Sequence, residues 1–434
     1  MRKNVKQQLA LRVLSTAALM AMVSSIATAA FAAEYNVKDG SVEIVAKDGV
    51  QSITQWADKD EGTYVTDDKG AIKDREDSNI ILTTKNKDTG ETETTSNTVT
   101  ITAENEGDTA NVTLRDVDIE QPDSNWSSVP APIEIKGNGN TNLELDGDNT
   151  VLSGNRNHAG IEKADVNGTG TLTIKDDLND DGSVKKNKDE NGNAVGGDTG
   201  KLLAGGYGNG AGIGGGFNGT TDSSYANTSN ITIKGGEITA RGGYEDGAGI
   251  GGGTYGNAKN IRIEGNAHVT ASGDGGAGIG GGIAGNGNDV TITGNAVVDA
   301  YSEYGSAIGD GRPWGGGDTT ITISGNATVH AEGKNSTTAI GSSQNGHSGN
   351  LTITIAENAN VTAIGSTNAP AIGNAYSSGG GNTTIRITGG TVNAINSYDD
   401  NKNYRKDYPA IGAKDGKLNL TIDGSTGDTV VNAY

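Results

Sequence analysis

IRIEGNAHVTASGDGGAGIGGG, residues 261–282, spans one full period of the chain. Ile261 and Ile263 are apolar with Arg262 between them, and Val269 and Ala271 repeat that alternation around Thr270. A period of two is the mark of a strand with one buried face. Glu264-Gly265-Asn266-Ala267 separates the two runs and has the composition of a tight turn. The closing phrase GAGIGGG (276–282) supplies a third apolar pair, Ala277 and Ile279. Strand, turn, strand, glycine-rich link and third strand describe one coil of a three-sided helix.

The same period recurs on both sides. ITIKGGEITA (231–240), VTITGNAVVDA (290–300), ITISGNATVHA (321–331), ITIAENANVTA (353–363) and IRITGGTVNA (385–394) repeat the first two strands, and LELDGDNTVLS (143–153) is an earlier variant. GAGIGGG occurs at 210–216, 247–253 and 276–282, with shorter echoes at Ala307-Ile308-Gly309, Ala339-Ile340-Gly341, Ala371-Ile372-Gly373 and Ala410-Ile411-Gly412. The isoleucines at 213, 250, 279, 308, 340, 372 and 411 are spaced by 37, 29, 29, 32, 32 and 39 residues. Periods of 20–50 residues signal a stacked-repeat architecture. The expected fold is all-β: a right-handed parallel β-helix, a three-sided solenoid, with an irregular N-terminal cap. Nine anchors from Ile133 and Ile161 to Ile411 are expected to stack to roughly 40 Å at ~4.8 Å per coil.

The glycines themselves could be read as a phosphate cradle. Such a site needs a helix opening directly after the glycines, so that free amides and the helix dipole meet the anion. No amphipathic helix follows any copy, and the structural reading prevails.

Composition agrees with a thin solenoid. There are 70 glycines, aromatics make up 4%, and cysteine is absent, so neither disulfides nor thiolate metal sites contribute. Residues 1–32 read as a secretory signal: Arg2, Lys3, Lys6 and Arg12 precede an apolar run that ends in Ala30-Phe31-Ala32. Its removal takes the formal charge from −21 to −25, because those four residues carry the only charges it contains. A chain so acidic repels nucleic acid and anionic lipid. No later segment is apolar enough for membrane insertion. Residues 33–98 are expected to form the cap and 99–434 the β-helix. Residues 176–200, which lengthen one coil, are expected to loop out. The 420–434 stretch stops in mid-coil, an open strand edge expected to allow self-association or to continue in further chain.

Three groups could carry chemistry. Asp177-x-Asn179-x-Asp181-Gly182 has the alternating oxygen ligands and sharp-turn glycine of a calcium loop, although Lys188 stands where a bidentate Glu belongs. Tyr244, Tyr255, Tyr301, Tyr304, Trp314, Tyr376, Tyr398 and Tyr404 cluster in the segments around the third strand, where rings could stack on sugars. Catalytic groups are sparse: Gly346-His347-Ser348-Gly349 matches only half of the Gly-His-Gly pattern of polygalacturonases, and no ordered carboxylate set accompanies it. The Thr column Thr232, Thr291, Thr322 and Thr354 is interrupted by Arg262 and Arg386 and reads as ordinary exposed strand.

GNTNLELDGDNTVLS, HAGIE (158–162) and the serial GAGIGGG phrases resemble Gly-rich right-handed β-helix surface proteins of gut and clostridial bacteria, many of them carbohydrate-binding. The I-x-I-x-G-N-A-x-V-x-A phrase is also similar to autotransporter passengers. The resemblance implies an extracellular, surface-located protein that binds a polysaccharide or a host or plant glycan, with calcium as cofactor. The expected function is that of a non-catalytic adhesin. A structural stalk or surface-layer element and a polysaccharide lyase or hydrolase are the alternatives. An acidic polysaccharide would need Ca²⁺ bridging to approach a surface of charge −25.

Overall fold

The computed structural model describes residues 33–124, 129–164, 169–176, 187–188, 194–195, 199–217, 226–312, 317–343, 349–366, 368–375, 381–396, 408–414 and 416–434. The chain winds into parallel coils with three sides, and each side stacks strands from successive coils. Side one takes the I-x-I strands, such as Ala258–Ile263 and Thr319–Ile323. Side two takes the V-x-A strands, such as His268–Gly273 and Thr328–Gly333. Side three consists of very short strands, such as Ile250–Gly251 and Ile279–Gly280.

Register is strict, because a shift of one residue would turn every apolar side chain outward. On side three Val42, Val99, Ile133, Ile161, Ile213, Ile250, Ile279, Ile308, Ile340, Ile372 and Ile411 follow one another in a single column. Ile261, Ile263, Val269, Ala271, Ala277 and Ile279, the six inward residues expected of one coil, are all buried. Each fully buried Ile contributes about 2–3 kcal/mol from its removal from water. The turn between sides one and two is tied by an amide ladder: Asn295 donates to Asn266, Asn326 to Asn295, and Asn358 to Asn326, at 3.1, 3.0 and 3.1 Å.

The N-terminal segment is more regular than its polar composition suggests. Ser41–Lys47 pairs in parallel with Val99–Ala103 and in antiparallel with Val50–Asp58, so coils begin well before residue 99 and a hairpin covers the third side. In the long insertion, Asn187–Lys188 and Ala194–Val195 pair only with each other, outside the three stacks. At the other end, Leu420 and Ile422 are 43% and 48% exposed, while their register partners Ile385 and Ile387 are fully buried. The last coil has the same strands as those below it and presents its inward residues to solvent.

The tip of side three depends on glycine. Gly214, Gly251, Gly280, Gly309, Gly341 and Gly373 share φ values of +133° to +143°. A Cβ on Gly251 would lie 1.8 Å from the carbonyl oxygen of Gly280 in the next coil. Both the backbone conformation and the stacking distance therefore demand glycine. Gly251→Ala is expected to destabilise the fold by about 2–4 kcal/mol. Gly107→Ala, where an added Cβ meets nothing within 4 Å, is expected to be nearly neutral. Chemical denaturation followed by circular dichroism checks the pair, and equal midpoints for the two variants would contradict the packing argument.

Candidate functional site: a tyrosine ridge along the third side

Because side three is only a few residues wide, the loops before and after it meet across its tip. The tip is closed by Ala211 N donating to Gly215 O, Ala248 N to Gly252 O and Ala277 N to Gly281 O, at 2.9, 2.9 and 2.8 Å. A second set of bonds runs between coils. Phe217 N donates to Asn157 O, Thr254 N to Asn209 O, Ile283 N to Asp246 O and Arg312 N to Gly275 O, at 2.6–2.9 Å. In each pair the loop after the tip is fastened to the loop before the tip of the preceding coil. The result is a ridge of short loops held by backbone bonds.

Aromatic side chains line this ridge in two columns. The loop before the tip supplies Tyr207 and Tyr244, whose rings meet edge to face with centroids 5.2 Å apart, and Tyr304 two coils on from Tyr244. The loop after the tip supplies Phe217 and Tyr255, 6.1 Å apart. The Arg312 guanidinium joins the columns, lying 5.0 Å from the centroid of the Tyr304 ring. Tyr244, Tyr255 and Tyr304 are 53%, 38% and 39% exposed, well above the usual burial of an aromatic. Tyr255 also adopts φ +65°, and Ala284 on the next coil +57°. A bulky residue held in the left-handed region is a local strain that the surrounding bonds must maintain.

Charge is concentrated in the same loops. Arg156 forms a two-point ion pair with Glu245, its Nε donating to Oε2 at 2.9 Å. Glu303 lies 3.7 Å from Lys334 and accepts from Asn335 Nδ2 at 2.7 Å. Burial and the neighbouring Glu245 push the Asp246 carboxyl up to about 6, against the opposing pull of Arg312 and Arg156, with Asp274 adding to the rise. Asp274 is raised too, by burial and by Glu303, again opposed by Arg312. Burial, Asp123 and Tyr244 raise the Tyr207 phenol. Below the ridge, in the coil of Ile161, His158 Nδ1 lies 2.8 Å from the buried Glu162 carboxylate, which also accepts from Ala159 N at 3.1 Å. Burial lowers this imidazole's proton affinity, but the Glu162 hydrogen bond and charge prevail and raise it.

Of the residues proposed from sequence, Tyr244, Tyr255 and Tyr304 come together on the ridge. Tyr301 does not: it projects from side two, where its ring contacts His330 at 6.0 Å. Trp314, Tyr376, Tyr398 and Tyr404, and the calcium candidates Asp177, Asn179 and Asp181, lie outside the described residues. Among the described residues no group of three or more His, Cys, Asp or Glu could hold a metal ion. Tyr207, Phe217 and Arg312 are ridge residues that the sequence reading passed over. Their signal was a constant offset: Tyr207 and Tyr244 each stand six residues before the tip isoleucine, and Phe217 and Arg312 each four after it.

The stacked register and the closed tips define a parallel β-helix repeat protein. In agreement, residues 231–254 and 261–283, which lie in two consecutive coils and include Tyr244, match the beta helix repeat family. No curated protein and no solved structure matches the chain.

The raised carboxyl of Asp246 has a measurable consequence. An unfolded Asp titrates near 3.8, so folding favours its protonated form. The contribution to stability is complete below that value and is lost as pH rises through about 6. Asp246→Asn, which cannot ionise, is expected to stabilise the protein by about 1–3 kcal/mol at neutral pH and to have little effect near pH 4. Denaturation curves at the two pH values test this, and an effect of equal size at both would refute it.

Proposed function

We propose that this chain is a secreted, surface-located β-helix that binds a polysaccharide or a host or plant glycan without catalysis. The observation that carries this reading is the row of exposed tyrosines on backbone-stapled loops. Sugars present apolar C–H faces edged by hydroxyls, and a tyrosine offers a ring to the face and a phenol to the edge. A row of rings on a stack ~4.8 Å per coil fits an extended chain better than a single small molecule. The exposure of the Tyr244, Tyr255 and Tyr304 rings favours holding a polymer along its length. A glycan array probed with the full chain tests the proposal. At least one polysaccharide class is expected to bind, and the double substitution Tyr244→Ala, Tyr304→Ala is expected to weaken that binding by tenfold or more, about 1.4 kcal/mol. An unchanged profile would remove the ridge from consideration.

A second reading, a stalk or surface-layer element, is favoured by the 411–434 coil. Its strands Leu418–Ile422 and Thr429–Ala433 form the last members of two stacks, with the inward Leu420 and Ile422 near half exposure. Another coil of like chemistry, from the same chain or a second copy, would cover them. Strand edges are blocked by inward lysines. If copies associate through this edge, sedimentation velocity will show concentration-dependent oligomers that Leu420→Lys abolishes. A monomer at all concentrations would exclude a second copy as the cover.

A further inference from the structure

Building on the glycan-binding reading, we infer that the ridge selects a cationic glycan, a chain of amino sugars with free ammonium groups, over an acidic or neutral one. The exposed rings and the ridge carboxylates are interleaved. Tyr207 and Tyr244 neighbour Asp123 and Glu245, while Tyr304 sits beside Glu303 and shares Arg312 with Asp246 and Asp274. Glu245 and Glu303 are engaged by Arg156 and Lys334. Asp246 and Asp274 form no ion pair among the described residues; Arg312 opposes the rise of both, and Arg156 that of Asp246.

The chain itself shows how a cation is received here. Arg312 lies against the Tyr304 ring and within the field of both aspartates, an arrangement in which the ring quadrupole and the carboxylates attract the same charge. Tyr244 has the most exposed ring of the ridge and is followed by Glu245 and Asp246; the Arg156 guanidinium paired to Glu245 lies within its field, and among the described residues no cation stacks on its face. An ammonium group at Tyr244 would repeat the Arg312 arrangement with the ligand supplying the charge. The two rings are separated by two coils, roughly 10 Å at ~4.8 Å per coil, which is the scale of a disaccharide repeat in an extended chain.

Energetic direction agrees with this placement. Asp246 is held above the usual carboxylate range by burial, Glu245 and Asp274, and Asp274 by burial and Glu303, so an arriving cation relieves repulsion already present, and an arriving anion increases it. The formal charge of −21 steers cations toward the whole molecule and slows the approach of acidic polysaccharide.

Titration calorimetry of the full chain with a glucosamine oligomer, its N-acetylated counterpart of equal length and an oligogalacturonate, at low ionic strength, tests the inference. The glucosamine oligomer is expected to bind about tenfold tighter than the N-acetylated one, with no detectable binding of the galacturonate. The variant Asp246→Asn, Asp274→Asn is expected to erase the preference while retaining binding of the N-acetylated oligomer, and Tyr244→Ala to weaken both. Equal affinity for the two glucosamine-based oligomers, or tighter binding of the galacturonate, overturns the charge inference and leaves the proposed function standing. No binding by any of the three overturns the amino-sugar inference, and if the glycan array is also blank the glycan reading falls with it.

Discussion

At the tip of side three each glycine lies directly against the carbonyl of the next coil, at a distance that leaves no room for a side chain. With an added Cβ on Gly214, Gly251, Gly280, Gly309, Gly341 or Gly373 falling within about 2 Å of the next coil's backbone, this column sets how tightly the coils can stack. Everything else in the coil conforms to it. The isoleucine before each glycine points into the core, and the reversal after it brings the flanking loops together. The first coils depart from it: Glu43, Thr100, Glu134 and Glu162 stand in the register position of Gly214 without a positive φ, and the buried Glu162 carboxylate is satisfied by His158 and Ala159. A charged side chain at this position is tolerated where the backbone takes another path and supplies hydrogen bonds.

Much of this was legible in the sequence because the fold is nearly one-dimensional. Each coil contacts mainly its neighbours, so the period, the inward residues and the register all follow from local alternation. Ile261 with Val290, and Val269 with Val298, are aligned in the structure as the repeats align on paper. The N-terminal segment was harder to read. Ser41–Lys47 alternates correctly but lacks the Gly-Asn turn and the Ala-Ile-Gly phrase, and its partner Val50–Asp58 runs antiparallel, a pairing no repeat announces.

The ridge was only partly legible, for a physical reason. Tyrosines near the tip can be counted in the sequence, but whether they share a surface depends on bonds between loops of different coils. The link from Ile283 N to Asp246 O joins residues 37 apart, and that from Arg312 N to Gly275 O joins residues 37 apart as well. Such staples leave no side-chain signature. Tyr301, three residues from Tyr304, shows how fine the distinction is: the first is still on the strand of side two and turns toward His330, while the second has entered the loop.

The constraint at the glycine tip also determines where specificity can reside. Inward positions are occupied by Ile, Leu, Val and Ala that must match the coil above and below, so they cannot vary with ligand. Outward strand positions on side one are short or paired, as with Thr291 beside Thr322 and Arg262 beside Glu264. Loops that flank the tip can change length and composition without moving the register, as the unequal spacings of the tip isoleucines show. The insertion between Asp176 and Lys201, by contrast, joins side one to side two, so its anchors lie at a different corner from the ridge. The insertion and the ridge are therefore separable parts of one scaffold. The ridge draws its charge from its own loops, Glu245-Asp246, Asp274 and Glu303, and its rigidity from the column of glycines beneath them.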